Sequence, residues 1–369
     1  MLRASIFMVA VGLCSAVDLP YSTIITSADV QVGVPQTLNN LAKDSVYRIY
    51  ATFASGNTDA YAQNVKIFDS TGATFTVAGL SQAKPNSGYF LDNIRYLRAP
   101  IAVHDTNNAA GAVVPYTIYV VDQSVTPFPV VNAALVPANG EVDSNNGFIG
   151  AGITVLSAEQ YFTMYIIDIG NLASMSISSV GYDEFSNAYT VMWLNSPNEA
   201  RLSFLTVYGP VATLFNTNWG INARFKFQLS RNAKFDTTLA PGAAFALTSP
   251  GYLSTTQSYN IPYTINDALD RSYSFGANTI VQANYNVNDF QGGEQINLQF
   301  STAENAISDV KLSSSGASGQ VLWANRISLY VEHPNGNHMP RFLIQVTSGS
   351  SFTFSLLGVL LVSLFSKLY

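Results

Sequence analysis

Several short stretches of the 369-residue chain alternate apolar and polar positions with period two. Tyr47-Arg-Ile-Tyr-Ala-Thr-Phe53, Phe225-Lys-Phe-Gln-Leu-Ser230 and Ile296-Asn-Leu-Gln-Phe300 are the clearest. Each predicts a strand with one apolar face on a core and one polar face toward water, as in a half-buried antiparallel sheet. No segment sustains the 3.6-residue period of a long amphipathic helix. Turn signals recur between the strands, among them Ser70-Thr-Gly72, Asn86-Ser-Gly88, Ala138-Asn-Gly140, Asn145-Asn-Gly147 and Pro334-Asn-Gly336. Many short strands punctuated by such turns predict an all-β chain of sandwiches or barrels.

A weak internal repeat divides the chain. Tyr116-Thr-Ile-Tyr-Val-Val-Asp122, Phe225-Lys-Phe-Gln-Leu-Ser-Arg231 and Phe342-Leu-Ile-Gln-Val-Thr-Ser348 read as equivalent closing strands, beginning at 116, 225 and 342. A second recurrence sets Val65-Lys-Ile-Phe-Asp-Ser70 against Val310-Lys-Leu-Ser-Ser314. A spacing of about 110 residues matches one β-sandwich, so three tandem antiparallel sandwiches are expected, over 17–126, 127–237 and 238–348.

The two ends read as processing signals. Arg3 precedes an apolar run from Ile6 to Leu13, and Cys14-Ser15-Ala16 presents small residues to a signal peptidase. Cleavage is expected after Ala16, so that 1–16 is a signal peptide. At the other end, small residues from Ser348 lead into the apolar run Leu356–Phe365. That run is shorter than the roughly 20 residues of a membrane span. It fits a glycolipid (GPI) attachment signal better, with Ser348 or Gly349 as attachment residue and 349–369 as the tail. The expected location is the outer face of the plasma membrane, reached through the secretory pathway.

Composition agrees with an extracellular β-protein. Charged residues are only 11%, against roughly 25% in ordinary soluble proteins, and Asn, Ser, Thr and Gln supply the polarity. Removing Arg3 and Lys367 from 17 basic groups leaves 15 against 23 acidic ones, a net −8. Such a surface argues against nucleic acid, whose phosphates require a basic footprint. The single cysteine, Cys14, lies in the leader, so the processed chain has no disulfide. No Asn-x-Ser/Thr sequon occurs, and N-glycosylation is not expected.

The third unit carries a family resemblance. Phe245-Ala-Leu-Thr-Ser-Pro-Gly-Tyr252, followed by Tyr259-Asn-Ile-Pro-Tyr263, resembles the opening of a CUB domain. The paired cysteines usual in that family are absent. The resemblance implies a divergent, cysteine-free array of CUB-like, jelly-roll-type sandwiches, similar to GPI-anchored surface proteins of pathogen response. It also implies protein or glycan ligands and, in some members, bound calcium.

Catalytic chemistry is poorly represented. A hydrolase needs a nucleophile, a base and an orienter together, and the only histidines are His104, His333 and His338. Gly79-Leu-Ser-Gln-Ala83 lacks the final glycine of a nucleophile elbow. His104-Asp105-Thr106 reads as a solvated strand end, and His333 with His338 as a surface turn rather than a zinc site. The chain is therefore read as no enzyme and as needing no cofactor, calcium being the one metal considered. Calcium takes carboxylates from loops, and Asp267, Asp270, Asp289 and Glu294 supply them in the third unit. For sugar stacking the candidate ring is Trp219, in a polar loop, whereas Trp193 and Trp323 sit in apolar surroundings and read as core. The expected function is cell-surface recognition. The alternative is a structural coat or adhesion protein that self-associates.

Overall fold

A computed structural model describes residues 22–38, 41–54, 59–81, 95–108, 111, 114–122, 131–135, 152–158, 162–169, 174–178, 192–195, 202–207, 210–216, 225–230, 236–239, 242–249, 252, 271–275, 279–302, 305–332 and 340–350. The expected leader, cleavage site Ala16 and the tail beyond Ser350 lie outside them.

The first set of strands comprises β1 (Ser22–Thr26), β2 (Gln36–Thr37), β3 (Val46–Phe53), β4 (Val65–Asp69), β5 (Thr74–Thr76), β6 (Arg95–Arg98), β7 (Ile101–Asp105) and β8 (Tyr116–Asp122). Two five-residue helices, α1 (Asp59–Gln63) and α2 (Val77–Ser81), interrupt them. The strands pair antiparallel in two four-stranded sheets, β1-β8-β3-β6 and β2-β7-β4-β5. Eight strands in this order are a jelly roll, two Greek keys folded into facing sheets. Tyr47, Ile49, Ile118 and Val120 from one sheet and Val65, Ile67, Ile101 and Val103 from the other fill the space between, with α2 closing one side.

Local chemistry explains the β4–β5 turn. Asp69 Oδ1 accepts from the Thr71 N–H (2.8 Å), the Thr71 hydroxyl (2.7 Å) and the Ala73 N–H (3.0 Å). Gly72 sits at φ 86°, the left-handed conformation that ends such a turn. Asp69 Oδ2 accepts the Arg98 N–H at 2.8 Å, which ties the turn to β6.

The second set is β9 (Val131–Leu135), β10 (Gly152–Leu156), β11 (Phe162–Ile169), β12 (Ser174–Ser178), β13 (Met192–Asn195), β14 (Leu202–Val207), β15 (Val211–Asn216) and β16 (Phe225–Ser230). A short β17 (Asp236–Thr238) follows. The third set is β18 (Ala244–Thr248), β19 (Arg271–Ser274), β20 (Thr279–Asn288), β21 (Gln295–Ser301), β22 (Ala306–Leu312), β23 (Gly316–Trp323), β24 (Arg326–Glu332) and β25 (Arg341–Ser350). The third set repeats the first strand for strand, as β18-β25-β20-β23 and β19-β24-β21-β22. In the second set the same order gives β16-β11-β14 and β10-β15-β12-β13, except that β9 leaves β16 and pairs in parallel with β10. The chain is thus all-β, a tandem of jelly-roll sandwiches.

The three predicted closing strands are β8, β16 and the greater part of β25, the eighth strand of each set. The second recurrence is not topological: Val65–Asp69 is a fourth strand, whereas Val310 lies in β22, a fifth. The expected joint at 126/127 falls between β8 and β9, and that at 237/238 inside β17. Across the latter, β14 and β18 pair in parallel, so strands of the second and third sets form one seven-stranded sheet, β16-β11-β14-β18-β25-β20-β23. A five-stranded sheet, β17-β19-β24-β21-β22, faces its third-set half. Val281, Phe342, Ile344 and Phe245 meet Ile296, Leu298, Phe300 and Leu329 in the core between them.

The predicted half-buried character holds for β21, whose residues alternate buried and half-buried. It fails for β3, where Arg48, Tyr50 and Thr52 are buried too. Their face of the sheet meets the second set: the Thr117 hydroxyl donates to the Ser157 carbonyl (2.7 Å) and the Thr154 hydroxyl to the Tyr119 hydroxyl (3.2 Å). Tyr50 and Tyr119 stack beside them, 6.0 Å between centroids.

Candidate functional site

The loop from Asp289 to Glu294 joins β20 to β21 and carries two of the four carboxylates predicted to hold calcium. Asp289 adopts φ 58° and Gly293 φ 86°, so the chain reverses through two left-handed residues. Aspartate tolerates that conformation better than most side chains. Its carboxylate, 45% exposed, meets Arg341 at the start of β25, Nε to Oδ2 3.0 Å. Glu294 is 2% exposed. Its Oε2 accepts the Gln291 N–H at 2.7 Å while its own N–H donates to the Gln291 carbonyl at 3.0 Å. Both carboxylates are therefore engaged by protein groups that fix the loop.

Asp267 and Asp270 lie outside the described residues, as does Trp219. Among the described residues no three His, Cys, Asp or Glu side chains gather into a metal-binding group. Ser348 and Gly349 lie inside β25, opposite Val281 and Ile280. The Ser348 N–H and hydroxyl both donate to the Ala243 carbonyl, at 2.9 and 3.0 Å. Glycolipid attachment at either residue would shorten β25 by only its last one or two positions. No helix among the described residues is long and apolar enough to cross a membrane.

One expected assignment is corrected. Trp323, read as core, is 57% exposed, as is Val321. Both lie on β23, at the edge of the seven-stranded sheet. Alternation turns Leu322 inward against the core and Val321 and Trp323 to the opposite face. Their apolar neighbours in sequence could not distinguish an edge strand from a central one.

A polar cluster in the first jelly roll was missed. Asp105, read as part of a solvated strand end, is fully buried at the end of β7. Its Oδ2 accepts the Tyr61 hydroxyl (2.9 Å), and its Oδ1 accepts the N–H (3.0 Å) and the side-chain amide (2.8 Å) of Asn107. Asn107 Nδ2 also donates to the Tyr61 carbonyl (3.1 Å), and Asn64 donates to Asn107 Oδ1 (3.1 Å). The cluster fastens α1 to the end of β7. Burial, reinforced by Asp105, raises the Tyr61 phenol far above its usual range. Tyr116, 1% exposed, is raised by burial and then by the charge of Asp105, and its hydroxyl has no hydrogen-bond partner. The available signal was Asp105-Thr-Asn107, the spacing at which a carboxylate accepts the N–H two residues on.

No family model matches the chain, and no curated protein does. Among solved structures it is similar to the CUB1-EGF-CUB2 segment of human MASP-1/3, at 9% identity over 89% of this chain and 100% of that one, TM-score 0.23. It is also similar to a triple jelly-roll turret protein of an archaeal virus, at 8% identity over 85% of this chain and 81% of that one, TM-score 0.17. A third likeness is to the Bacillus thuringiensis δ-endotoxin Cry8Ea1, at 9% identity over 82% of this chain and 52% of that one, TM-score 0.18. Superpositions this loose carry no argument. The jelly-roll assignment rests on the strand order and register of this chain.

Proposed function

We propose that the chain is a non-enzymatic recognition protein of the cell surface, a tandem of CUB-like jelly rolls tethered by a glycolipid, whose loops bind a protein or glycan ligand. The observation that carries the reading is the repetition of one jelly-roll unit along a chain whose two ends read as a secretion signal and an attachment signal. Repeated sandwiches present several sets of loops on one rigid support, which suits binding. The CUB-like opening at Phe245–Tyr252 points the same way, toward extracellular ligands and a role in pathogen response. Calcium would enter this reading through Asp267 and Asp270 together with the Asp289–Glu294 loop. Fold alone assigns no ligand.

Two treatments test it. Phosphatidylinositol-specific phospholipase C should release the protein from intact cells; retention, with Leu356–Phe365 still present by mass spectrometry, would refute the anchor. The released protein should bind a defined set of a glycan array or of microbial cell walls, and a comparison with chelator present reports on calcium. Failure to bind any of them would refute recognition.

One observation favours a second reading, a self-associating coat: the uncharged outer strand β23 with Trp323 and Val321 exposed. Growth of the released protein into assemblies larger than a dimer at rising concentration, without ligand, would favour it.

A further inference from the structure

Edge strands present unpaired N–H and C=O groups, and natural proteins protect them with charges, prolines or short length. In the first jelly roll the sixth strand follows that rule. This edge strand, β6, is four residues long and carries Arg95 and Arg98. Edge strand β22 of the third jelly roll carries Asp309 and Lys311. By contrast β23, Gly-Ala-Ser-Gly-Gln-Val-Leu-Trp, runs eight residues with neither charge nor proline. Among the described residues it pairs only with β20, and most of its own residues are exposed.

The molecule already joins jelly rolls through this position. The sixth strand of the second set, β14, pairs with β18 and so continues its sheet into the next unit. The sixth strand of the third set is β23, which ends the same continuous sheet among the described residues.

We propose that β23 is a self-association edge: two copies of the chain pair β23 with β23 antiparallel about a two-fold axis, extending the seven-stranded sheet across both molecules. Three features select a second copy as the occupant. The contact uses the strand equivalent to β14, the sixth, which already extends a sheet beyond its own unit, there by parallel pairing with β18. A two-fold pairing sets residues of β23 against residues of the same strand, so any charge on it would face its like, and β23 has none. Elsewhere the net charge of −6 opposes contact between copies, which confines association to this neutral strip. Val321 and Trp323 of both copies lie on one face of the extended sheet and lose exposure together. Gly316 has open space where a Cβ would stand, which leaves room for close approach of a second backbone. The inference depends neither on the glycolipid tether nor on any ligand.

Sedimentation equilibrium of the purified protein over a wide concentration range tests it, with amide exchange followed in parallel. The expected result is a monomer–dimer equilibrium in which exchange over 316–323 slows as dimer forms while β6 and β22 are unchanged. Val321→Lys should raise the dimer dissociation constant on the order of 100-fold through like-charge juxtaposition across the axis. Because Val321 is exposed, that variant should keep its thermal transition; Ala317→Lys, exposed on the same face of the strand, is a second variant with the same expected effect. A monomer at every concentration, growth past the dimer into open chains, or a dimer indifferent to lysine at both 317 and 321 would each overturn the proposal.

Discussion

Phe204 and Phe245 stack across the parallel pair β14·β18, ring centroids 4.9 Å apart and planes 6° from parallel. One ring belongs to the second jelly roll and the other to the third. Tyr273 packs against both, at 5.7 and 4.3 Å between centroids. All three side chains are buried. Side chains as well as backbone therefore hold the two units together. Phe245→Ala is expected to cost about 3–5 kcal/mol, the usual range for a buried aromatic truncated in a core. In a double-mutant cycle with Phe204→Ala the coupling should be about 0.5–1.5 kcal/mol. Denaturant titration of the four proteins measures both, and additive effects would mean that the rings do not interact.

Asp69 predicts an acid-sensitive turn. Burial pushes its carboxyl up, but the N–H groups of Arg98, Thr71 and Ala73 and the Thr71 hydroxyl outweigh burial and hold it below the usual carboxylate value. A depressed native value stabilises the fold above the unfolded value of about 3.9, and that contribution is lost as pH falls through the native value. Asp69→Asn should cost about 1–3 kcal/mol at neutral pH. The difference from the parent should shrink with acidification, as urea midpoints at several pH values would show.

The two phenols near Asp105 should respond oppositely to the same substitution. Tyr61→Phe deletes a hydrogen bond to a buried carboxylate and should cost about 1.5–3 kcal/mol. Tyr116→Phe removes a buried hydroxyl that has no partner and should be neutral or slightly stabilising. Both native values are raised, so ionisation of the phenols in the unfolded chain lowers the parent's stability relative to each Phe variant as pH rises beyond the ordinary value of about 10. Thermal melts of each variant across the alkaline range would check the sign.

In the Asp289–Glu294 loop the two carboxylates differ in environment. Asp289→Asn breaks a partly exposed ion pair, keeps a side chain that tolerates the left-handed backbone, and should cost under about 1 kcal/mol. Glu294→Ala leaves the Gln291 N–H without its carboxylate in a buried turn and should cost about 1–3 kcal/mol. Equal effects in a thermal melt would contradict the difference in burial.

Strand identity was legible wherever alternation was strong and the environment ordinary. Phe225–Ser230 and Ile296–Phe300 became β16 and the centre of β21, and the three closing strands proved topologically equivalent. What escaped was set by partners distant in sequence. Arg48 and Thr52 look solvent-facing until the second jelly roll covers them, and Trp323 looks buried until β23 proves to be an edge. The parallel pair β14·β18 leaves no local mark, because its register depends on two separate units. Asp105 is hydrophilic by type and fully buried by partnership with Tyr61 and Asn107. Of the predicted ligand residues, Asp289 and Glu294 do share one loop, but their hydrogen-bond partners are backbone and arginine groups that composition cannot reveal.

Amide hydrogen exchange along β14 and β18, followed at rising denaturant, tests most directly whether the second and third jelly rolls share one sheet. If they do, the amides of Leu205–Val207 and Ala246–Thr248 will be protected alike and will open together. Opening of β14 under conditions in which β18 and β25 stay protected would contradict a continuous sheet and make the units separate bodies.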